Sequence, residues 1–110
     1  MKRIASIQDV SCLGRCSQTV ALPVVSTMGV ECAILPTAVL STHTSFPDFH
    51  CLDLTDQLLP VARHWKAQGV RFDALYTGYL ASDRQVAVVL ELLELPQAAR
   101  LTARAQTTAI

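Results

Sequence analysis

The sequence predicts a three-layer α/β domain, in which helices cover both faces of a parallel β-sheet. Short apolar runs alternate along the chain with longer segments of helical spacing, in the order β-α-β-α-β-α. Strands joined by crossover helices pair in parallel, and helices then cover both faces of the sheet. The composition is that of a folded chain, because 51% of the 110 residues are hydrophobic and only 16% are charged.

Three segments are predicted as buried strands. Residues 3–7 form a short apolar run, and residues 31–40 are nearly all apolar or β-branched, with Pro36 near the end. Residues 71–77 give the third strand. Three strands make a small parallel sheet with an open edge, so we expect a sheet that is truncated after about three strands.

The first helix is predicted over residues 17–28, where apolar residues recur at helical spacing. Ser17 is expected to cap this helix and Gly29 to end it. Pro23 fits only if the helix starts late or kinks, since proline has no N–H to donate.

Two further helices follow a predicted loop at residues 41–52. One helix runs from Thr55, its expected cap, to Gly69. The other begins at residues 82–85, where Ser-Asp-Arg-Gln fits a capping box. Their expected buried faces are Leu58, Ala62 and Trp65 in the first, and Val86, Val89, Leu90 and Leu93 in the second.

The end of the sequence differs in character from the rest. Residues 97–110 hold five Ala, three Thr and two Arg without an acidic residue, and no further strand pattern appears. We therefore expect residues 1–95 to form the domain and residues 96–110 to be an atypical tail that is not native to the fold.

Charge and hydropathy exclude several classes of protein. Nine basic residues balance nine acidic ones, so there is no electrostatic footprint for nucleic acid or anionic lipid. No apolar run is long enough for a membrane helix or a signal peptide. We expect a cytoplasmic protein whose four cysteines stay reduced.

Polar residues follow each predicted strand, and the carboxyl ends of parallel strands are where open sheets bind ligands. A carboxylate, hydroxyls, an imidazole and a phenol brought together there could hydrogen-bond a small polar ring compound. The candidate residues after the three strands are Asp9, Ser11, Gly14, His43, Thr44 and Tyr79.

Each candidate also has a purely structural interpretation. Asp9 could cap a turn, His43 could be an ordinary loop histidine, and Tyr79 could pack against the following helix. Gly14 could serve only a turn conformation. Residues 14–17 lead into a helix and could bind an anion, but they lack the glycines and the lysine of a phosphate-binding loop.

The cysteines suggest a second kind of chemistry. Cys12 and Cys16 have the spacing of a metal-binding pair, but no second pair accompanies them. Buried reduced thiols are the favoured interpretation, and a redox or metal protein is the alternative.

Several segments in register resemble a known family. They are Ile-Ala-Ser-Ile-Gln-Asp-Val-Ser at 4–11, Gly-Arg-Cys-Ser at 14–17, Ala-Leu-Pro at 21–23, Met-Gly-Val at 28–30, Leu-Ser-Thr-His-Thr at 40–44, His-Trp-Lys at 64–66 and Phe-Asp-Ala-Leu-Tyr-Thr-Gly-Tyr-Leu at 72–80. Over residues 3–95 the chain resembles the N-terminal part of the pyridoxal and pyridoxamine kinases, which belong to the ribokinase-like superfamily. It is also similar to the hydroxymethylpyrimidine kinases.

The resemblance implies phosphorylation of the 5′-hydroxymethyl group of pyridoxal, pyridoxamine or pyridoxine by Mg-ATP. It implies that Asp9, Thr44 and Tyr79 bind the vitamin ring, with Ser11, Gly14 and His43 lining the pocket. Pyridoxal kinases usually have Ser where Asp9 stands, and their first loop is one residue longer. The preferred vitamer, or a pyrimidine in its place, therefore stays open.

The resemblance also implies that parts of the enzyme lie elsewhere. The family carries its ATP site, its magnesium-organising acidic segment and its catalytic Asp in the C-terminal two-thirds, and no Gly-x-Gly-Asp occurs in this sequence. We thus expect an N-terminal fragment that is inactive by itself and holds no catalytic, cofactor or metal residues. The whole enzyme would be a homodimer, and a non-catalytic binding or assembly module is the alternative.

Overall fold

The computed structural model describes residues 2–78, 80 and 82–93, and it contains the predicted alternation of strands and helices. The predicted tail at residues 96–110 lies outside the described residues. The elements are β1 (Arg3–Ser11), α1 (Gln18–Thr27), β2 (Glu31–Leu40), β3 (Cys51–Asp53), α2 (Thr55–Ala67), β4 (Ala74–Thr77) and α3 (Asp83–Leu93).

The described strands form one four-stranded sheet in the order β3-β2-β1-β4. Both β2 and β4 pair with β1 in parallel, which confirms the predicted α/β class and its three parallel strands. The connection through α1 runs from β1 to β2, and the connection through α2 runs from β2 and β3 back past β1 to β4. Because these two connections run in opposite directions along the sheet, right-handed crossovers place α1 on one face and α2 on the other. The strand β1 is therefore central, and its carboxyl end lies between those of two neighbours.

The prediction of a loop over residues 41–52 is wrong at its end, where β3 pairs antiparallel with β2. The sheet is therefore mixed. All three residues of β3 are exposed, so no apolar run marks it in the sequence. The pairing is set by the turn before it, in which Ser41 N–H donates to His50 O at 2.8 Å and His50 N–H donates to Ser41 Oγ at 2.8 Å.

The core lies between the sheet and the helices α2 and α3. It is formed by fully or nearly fully buried side chains, namely Ala5, Ile7, Leu35, Leu58, Ala62, Phe72, Leu75, Val88, Val89 and Leu92. Trp65 packs on Phe72 with ring centroids 5.3 Å apart. The predicted buried face of α2 is therefore confirmed.

The predicted buried face of α3 is confirmed at Val89 and at Leu93, which packs on the core, but it is wrong at the other two positions. Val86 and Leu90 are exposed, whereas Val88 and Leu92 are buried. Apolar residues occupy most of this helix, so their spacing alone does not select a face. The contact of α3 with α2 selects the buried face, because buried Gln85 donates from Nε2 to Thr55 Oγ1 at 3.1 Å. Ser82 Oγ accepts from Gln85 N–H at 3.3 Å, as the capping box requires.

The helix α1 continues through Pro23, which lies in its middle. Gly29 follows its last turn at φ +81°, a backbone conformation that favours glycine. The apolar spacing of α1 predicted the helix but not its burial. Val24 and Met28 are 53% and 74% exposed, and Gln18 is its buried residue.

The predicted cap of α2 is also corrected. Thr55 is the first helical residue rather than the cap; the N-cap is Leu54, which makes no side-chain capping bond, and the partner of Thr55 is Asp53 Oδ1. It accepts from Thr55 N–H at 2.9 Å and from Thr55 Oγ1 at 2.5 Å. These two bonds lower the pKa of the Asp53 carboxyl, with a smaller contribution from the positive charge of Arg84 and against the effect of burial.

The Asp53 carboxylate, which accepts from the first residue of α2, predicts a pH dependence of stability. Because the pKa of Asp53 is lower in the folded chain, its contribution is fully present above the unfolded pKa of about 3.9 and is lost as the pH falls through the folded value. Asp53→Asn keeps an acceptor oxygen without the titration, so we expect urea unfolding of this variant to depend less on pH in the acid range. Asp48→Asn, at an exposed loop position, is the charge control and should keep the wild-type profile. Identical profiles for the two variants would contradict the stabilising contact of Asp53 with the first residue of α2.

Candidate functional site

The segments that follow β1, β2 and β4 meet at one edge of the sheet. His43 N–H donates to Leu13 O at 3.0 Å, which joins the segment after β2 to the segment after β1. Gly78 N–H donates to Ile7 O at 2.9 Å, which brings the segment after β4 to the same edge. The predicted convergence of polar segments at this edge is therefore present in the described residues.

Asp9 lies at an irregularity in the pairing of β1 with β2. Gln8 is opposite Pro36 and Val10 is opposite Val39, so two residues of β2 oppose Asp9 alone. Such bulges redirect a side chain next to binding sites. Pro36 is tolerated because β3 pairs with β2 only from Ala38 onward, so the missing N–H lies on a side without a ladder.

The Asp9 carboxylate is held by hydroxyl groups. Ser17 Oγ donates to Asp9 Oδ1 at 2.9 Å, and Ser11 Oγ donates to Asp9 Oδ2 at a longer 3.4 Å. Ser11 is buried and accepts from Cys16 Sγ at 3.5 Å. Each carboxylate oxygen can accept a further bond, because an ionised carboxylate has about four lone-pair sites.

Gly14 and His43 are in direct apposition. Gly14 has φ +124°, and a Cβ atom built on it would lie 2.5 Å from His43 Cδ2. The His43 ring also contacts Phe46 edge-on at 4.8 Å, and its Nδ1 accepts from Ser45 N–H at 3.3 Å. Gly14 therefore does more than serve a turn, since only glycine allows the imidazole this close to the backbone.

A matched pair of alanine variants tests this apposition. Gly14→Ala and Gly29→Ala both place a Cβ at positive φ, but nothing lies within 4 Å of the Gly29 position. We expect both to lower the free energy of unfolding, by about 1–2 kcal/mol for the backbone strain, and Gly14→Ala to lower it further. Only Gly14→Ala should move the His43 ring resonances in NMR spectra. Unchanged His43 resonances in that variant would contradict the contact.

Of the other two predicted site residues, Thr44 and Tyr79, the structure describes only Thr44. Thr44 follows His43 and is exposed on the loop after β2. Tyr79 lies outside the described residues. Its neighbour Gly78 packs on Gln8, since a Cβ on Gly78 would lie 2.8 Å from Gln8 Cβ. The structure thus brings together Asp9 with Ser11 and Gly14 with His43.

Two residues of the site were missed by the sequence analysis. Ser17 was expected to cap α1, but its hydroxyl makes no capping bond and donates to Asp9 instead. Gln18 is 2% exposed, and its Nε2 donates to Ser6 O at 2.7 Å and Gln8 O at 3.3 Å. This amide fastens the start of α1 to β1. The only signal for Ser17 and Gln18 in the sequence was that two polar residues stand together at the start of an apolar helix.

In the described part of the chain no three His, Cys, Asp or Glu side chains come together as ligands. The four cysteines are free thiols, and the prediction that they are buried is right for Cys16 but wrong for Cys12 and Cys51, which are exposed. None of the four glycines stands in a Gly-x-Gly pair, so this sequence offers no glycine-rich loop of the kind that surrounds the phosphates of a nucleotide. No helix in the described ranges has both the length and the apolar character needed to cross a bilayer.

Neither a protein-family model nor a curated protein sequence matches the chain. Solved structures do. A protein from Bacteroides thetaiotaomicron, assigned as a phosphomethylpyrimidine kinase, is 44% identical with a TM-score of 0.89 over 94% of this chain and 36% of its own. Another crystal form of it, which contains pyridoxal, is 45% identical with a TM-score of 0.85 over 93% of this chain and 36% of its own. Pyridoxal kinase from Lactobacillus plantarum is 32% identical with a TM-score of 0.81 over 94% and 36%.

The sheet order, the crossovers and the loop cluster at the carboxyl ends define a ribokinase-like α/β fold. These structures share that fold with the chain at TM-scores of 0.81 to 0.89. The chain is similar to the N-terminal part of pyridoxal kinases and of a phosphomethylpyrimidine kinase, which confirms the resemblance found in the sequence. It spans about 36% of the length of those kinases and corresponds to their N-terminal part.

Proposed function

We propose that this chain supplies the vitamin-binding part of a kinase that phosphorylates the 5′-hydroxymethyl group of a vitamin B6 vitamer with Mg-ATP. The observation that carries the proposal is the Asp9 carboxylate, held by two hydroxyls at the carboxyl end of the central strand. The chain is 45% identical to a protein crystallised with pyridoxal, which supports a pyridine ring as the ligand.

The residues at this edge suit the recognition of a hydroxylated pyridine. The Asp9 carboxylate can accept from the 3-hydroxyl or from the protonated ring nitrogen. Thr44 and Tyr79 can each donate or accept, and so fix the rotation of the ring. Phosphoryl transfer asks of a protein mainly positioning and charge stabilisation, so orientation of the hydroxymethyl group is the contribution we assign to these residues.

The chain by itself is proposed to be inactive. In the transfer, the hydroxymethyl oxygen bonds to the γ-phosphorus, the bond from that phosphorus to ADP breaks, and the hydroxyl proton passes to a base. No glycine-rich phosphate cradle is available in this sequence to hold the nucleotide. ATP turnover by the purified 110-residue chain with pyridoxal would contradict this part of the proposal.

Binding of pyridoxal can be tested by NMR titration of the 110-residue chain. We expect shifts in the amides around Asp9, Gly14 and His43. The dissociation constant should be no better than about 1 mM, or about −4 kcal/mol, because a full pocket buries about 70–90% of its ligand and this chain spans only 36% of the related kinase. Shifts confined to residues 51–63 would show that the site assignment is wrong.

A pyrimidine is the second candidate substrate, and Asp9 favours it as well. The family usually has Ser at this position, and an ionised carboxylate, unlike a hydroxyl, only accepts hydrogen bonds. The exocyclic amine of an aminopyrimidine is a donor that such a carboxylate can bind. Competition between pyridoxal and a hydroxymethyl-aminopyrimidine in the same titration separates the two, since the true substrate class should displace the other.

The assembly state and the compartment stay predictions. The family resemblance implies a homodimer of the whole enzyme in the cytoplasm. Light scattering on the 110-residue chain tests the alternative of an assembly module. A stable monomer would contradict that alternative.

A further inference from the structure

Ser17 has a backbone conformation that serine rarely adopts. Its φ of 51° and ψ of −129° match the first central residue of a type II′ turn, a position dominated by glycine. Such conformations persist in non-glycine residues only where the surroundings impose them, and they are concentrated at functional sites. A glycine would suit the backbone here better than the serine that is present.

The Ser17 side chain does not serve the helix that follows it. Serine at the N-cap normally accepts from a backbone N–H of the first turn, yet the Ser17 hydroxyl makes no capping bond. It donates to Asp9 Oδ1 at 2.9 Å instead. The position therefore carries an unfavourable backbone and forgoes a cap, and its hydroxyl is directed at one carboxylate.

Attachment of α1 to the sheet does not explain this contact. Gln18, the next residue, already fastens the helix to β1 through two carbonyls, with the shorter bond at 2.7 Å to Ser6 O. The Ser17 hydroxyl fixes the orientation of the Asp9 carboxylate. The hydrogen bond from the other hydroxyl, Ser11 Oγ, is long at 3.4 Å and therefore orients the carboxylate less strongly. Bonds to a charged acceptor are the stronger hydrogen bonds and set its direction.

We infer that Ser17 is a positioning residue that orients the Asp9 carboxylate toward the substrate ring. This inference rests on the proposed function, in which Asp9 binds the ring. It assigns to Ser17 a role through Asp9 rather than a contact with substrate. Substituting glycine should relieve the backbone and free the carboxylate to rotate.

The test compares melting temperature and pyridoxal affinity in the 110-residue chain. For Ser17→Gly we expect a melting temperature that is equal or higher, together with pyridoxal binding that is weaker by about tenfold, the scale of one hydrogen bond to a charged group. The matched control is Ser26→Gly, an exposed position in the same helix. It should lower the melting temperature, because glycine weakens a helix interior, and leave the affinity unchanged.

A conservative variant completes the test. Asparagine tolerates positive φ, and its amide can donate to Asp9, so Ser17→Asn should recover most of the affinity that glycine loses. The inference would be overturned by wild-type affinity in Ser17→Gly, by a parallel loss of stability and affinity in that variant, or by Ser17→Asn binding pyridoxal as weakly as Ser17→Gly. None of these outcomes would affect the proposed function. A wild-type chain without pyridoxal-dependent shifts at Asp9 would instead refute the proposed function, and this inference with it.

Discussion

Asp9→Ala is expected to abolish the pyridoxal-dependent NMR shifts of the 110-residue chain. The substitution removes the acceptor that faces the ring in the proposed function and also leaves the Ser17 hydroxyl without its partner. A hydrogen bond to a charged group contributes about 1.5–3 kcal/mol. Starting from a dissociation constant of about 1 mM, such a loss moves binding beyond about 10 mM.

The control for Asp9→Ala is Cys51→Ser, an exposed thiol on β3, which should leave the shifts intact. Tyr79→Phe is expected to behave like Asp9→Ala, because it removes the phenolic hydroxyl that is proposed to hydrogen-bond the vitamin ring. If Asp9→Ala still binds while Cys51→Ser does not, the site lies on β3 and the proposed role of Asp9 is wrong.

Leu58→Ala is expected to have the largest effect on stability. Leu58 lies on α2 and is 1% exposed in the core between that helix and the sheet. Truncating a buried leucine leaves a cavity and typically destabilises by about 2–5 kcal/mol. Because small domains have only about 5–15 kcal/mol in total, urea unfolding should shift to much lower denaturant or lose its cooperative transition.

Leu90→Ala is the matched control on α3. Leu90 is 56% exposed, and the same truncation there should change the unfolding midpoint little. The comparison also tests the rotation of α3, since the apolar spacing of the sequence had predicted Leu90 to be buried. Equal destabilisation by the two variants would contradict the core described for this chain.

Much of the fold, and the placement of Asp9 and His43 in the candidate site, could be predicted from the sequence. Apolar runs with few polar interruptions gave β1, β2 and β4, and the spacing of Leu58 and Ala62 gave the buried face of α2, because burial on one side imposes those periods. The rule that parallel sheets bind ligands at the carboxyl ends of their strands then predicted that Asp9 and His43 lie at one edge of the sheet. The family resemblance added specific roles, which remain predictions.

Other features were decided only by tertiary structure. Strand β3 has no hydrophobic signal, and its pairing depends on the turn that closes onto Ser41. The face of α3 depends on the contact of Gln85 with α2, because apolar residues surround most of that helix. The Ser17 hydroxyl was expected to cap α1 and donates to Asp9 instead, because the positive φ of Ser17 turns it toward the end of β1. Residue type sets only local conformational preferences. Which acceptor a hydroxyl bonds to depends on where the folded chain places the competing acceptors, and those positions are determined by the assembled sheet.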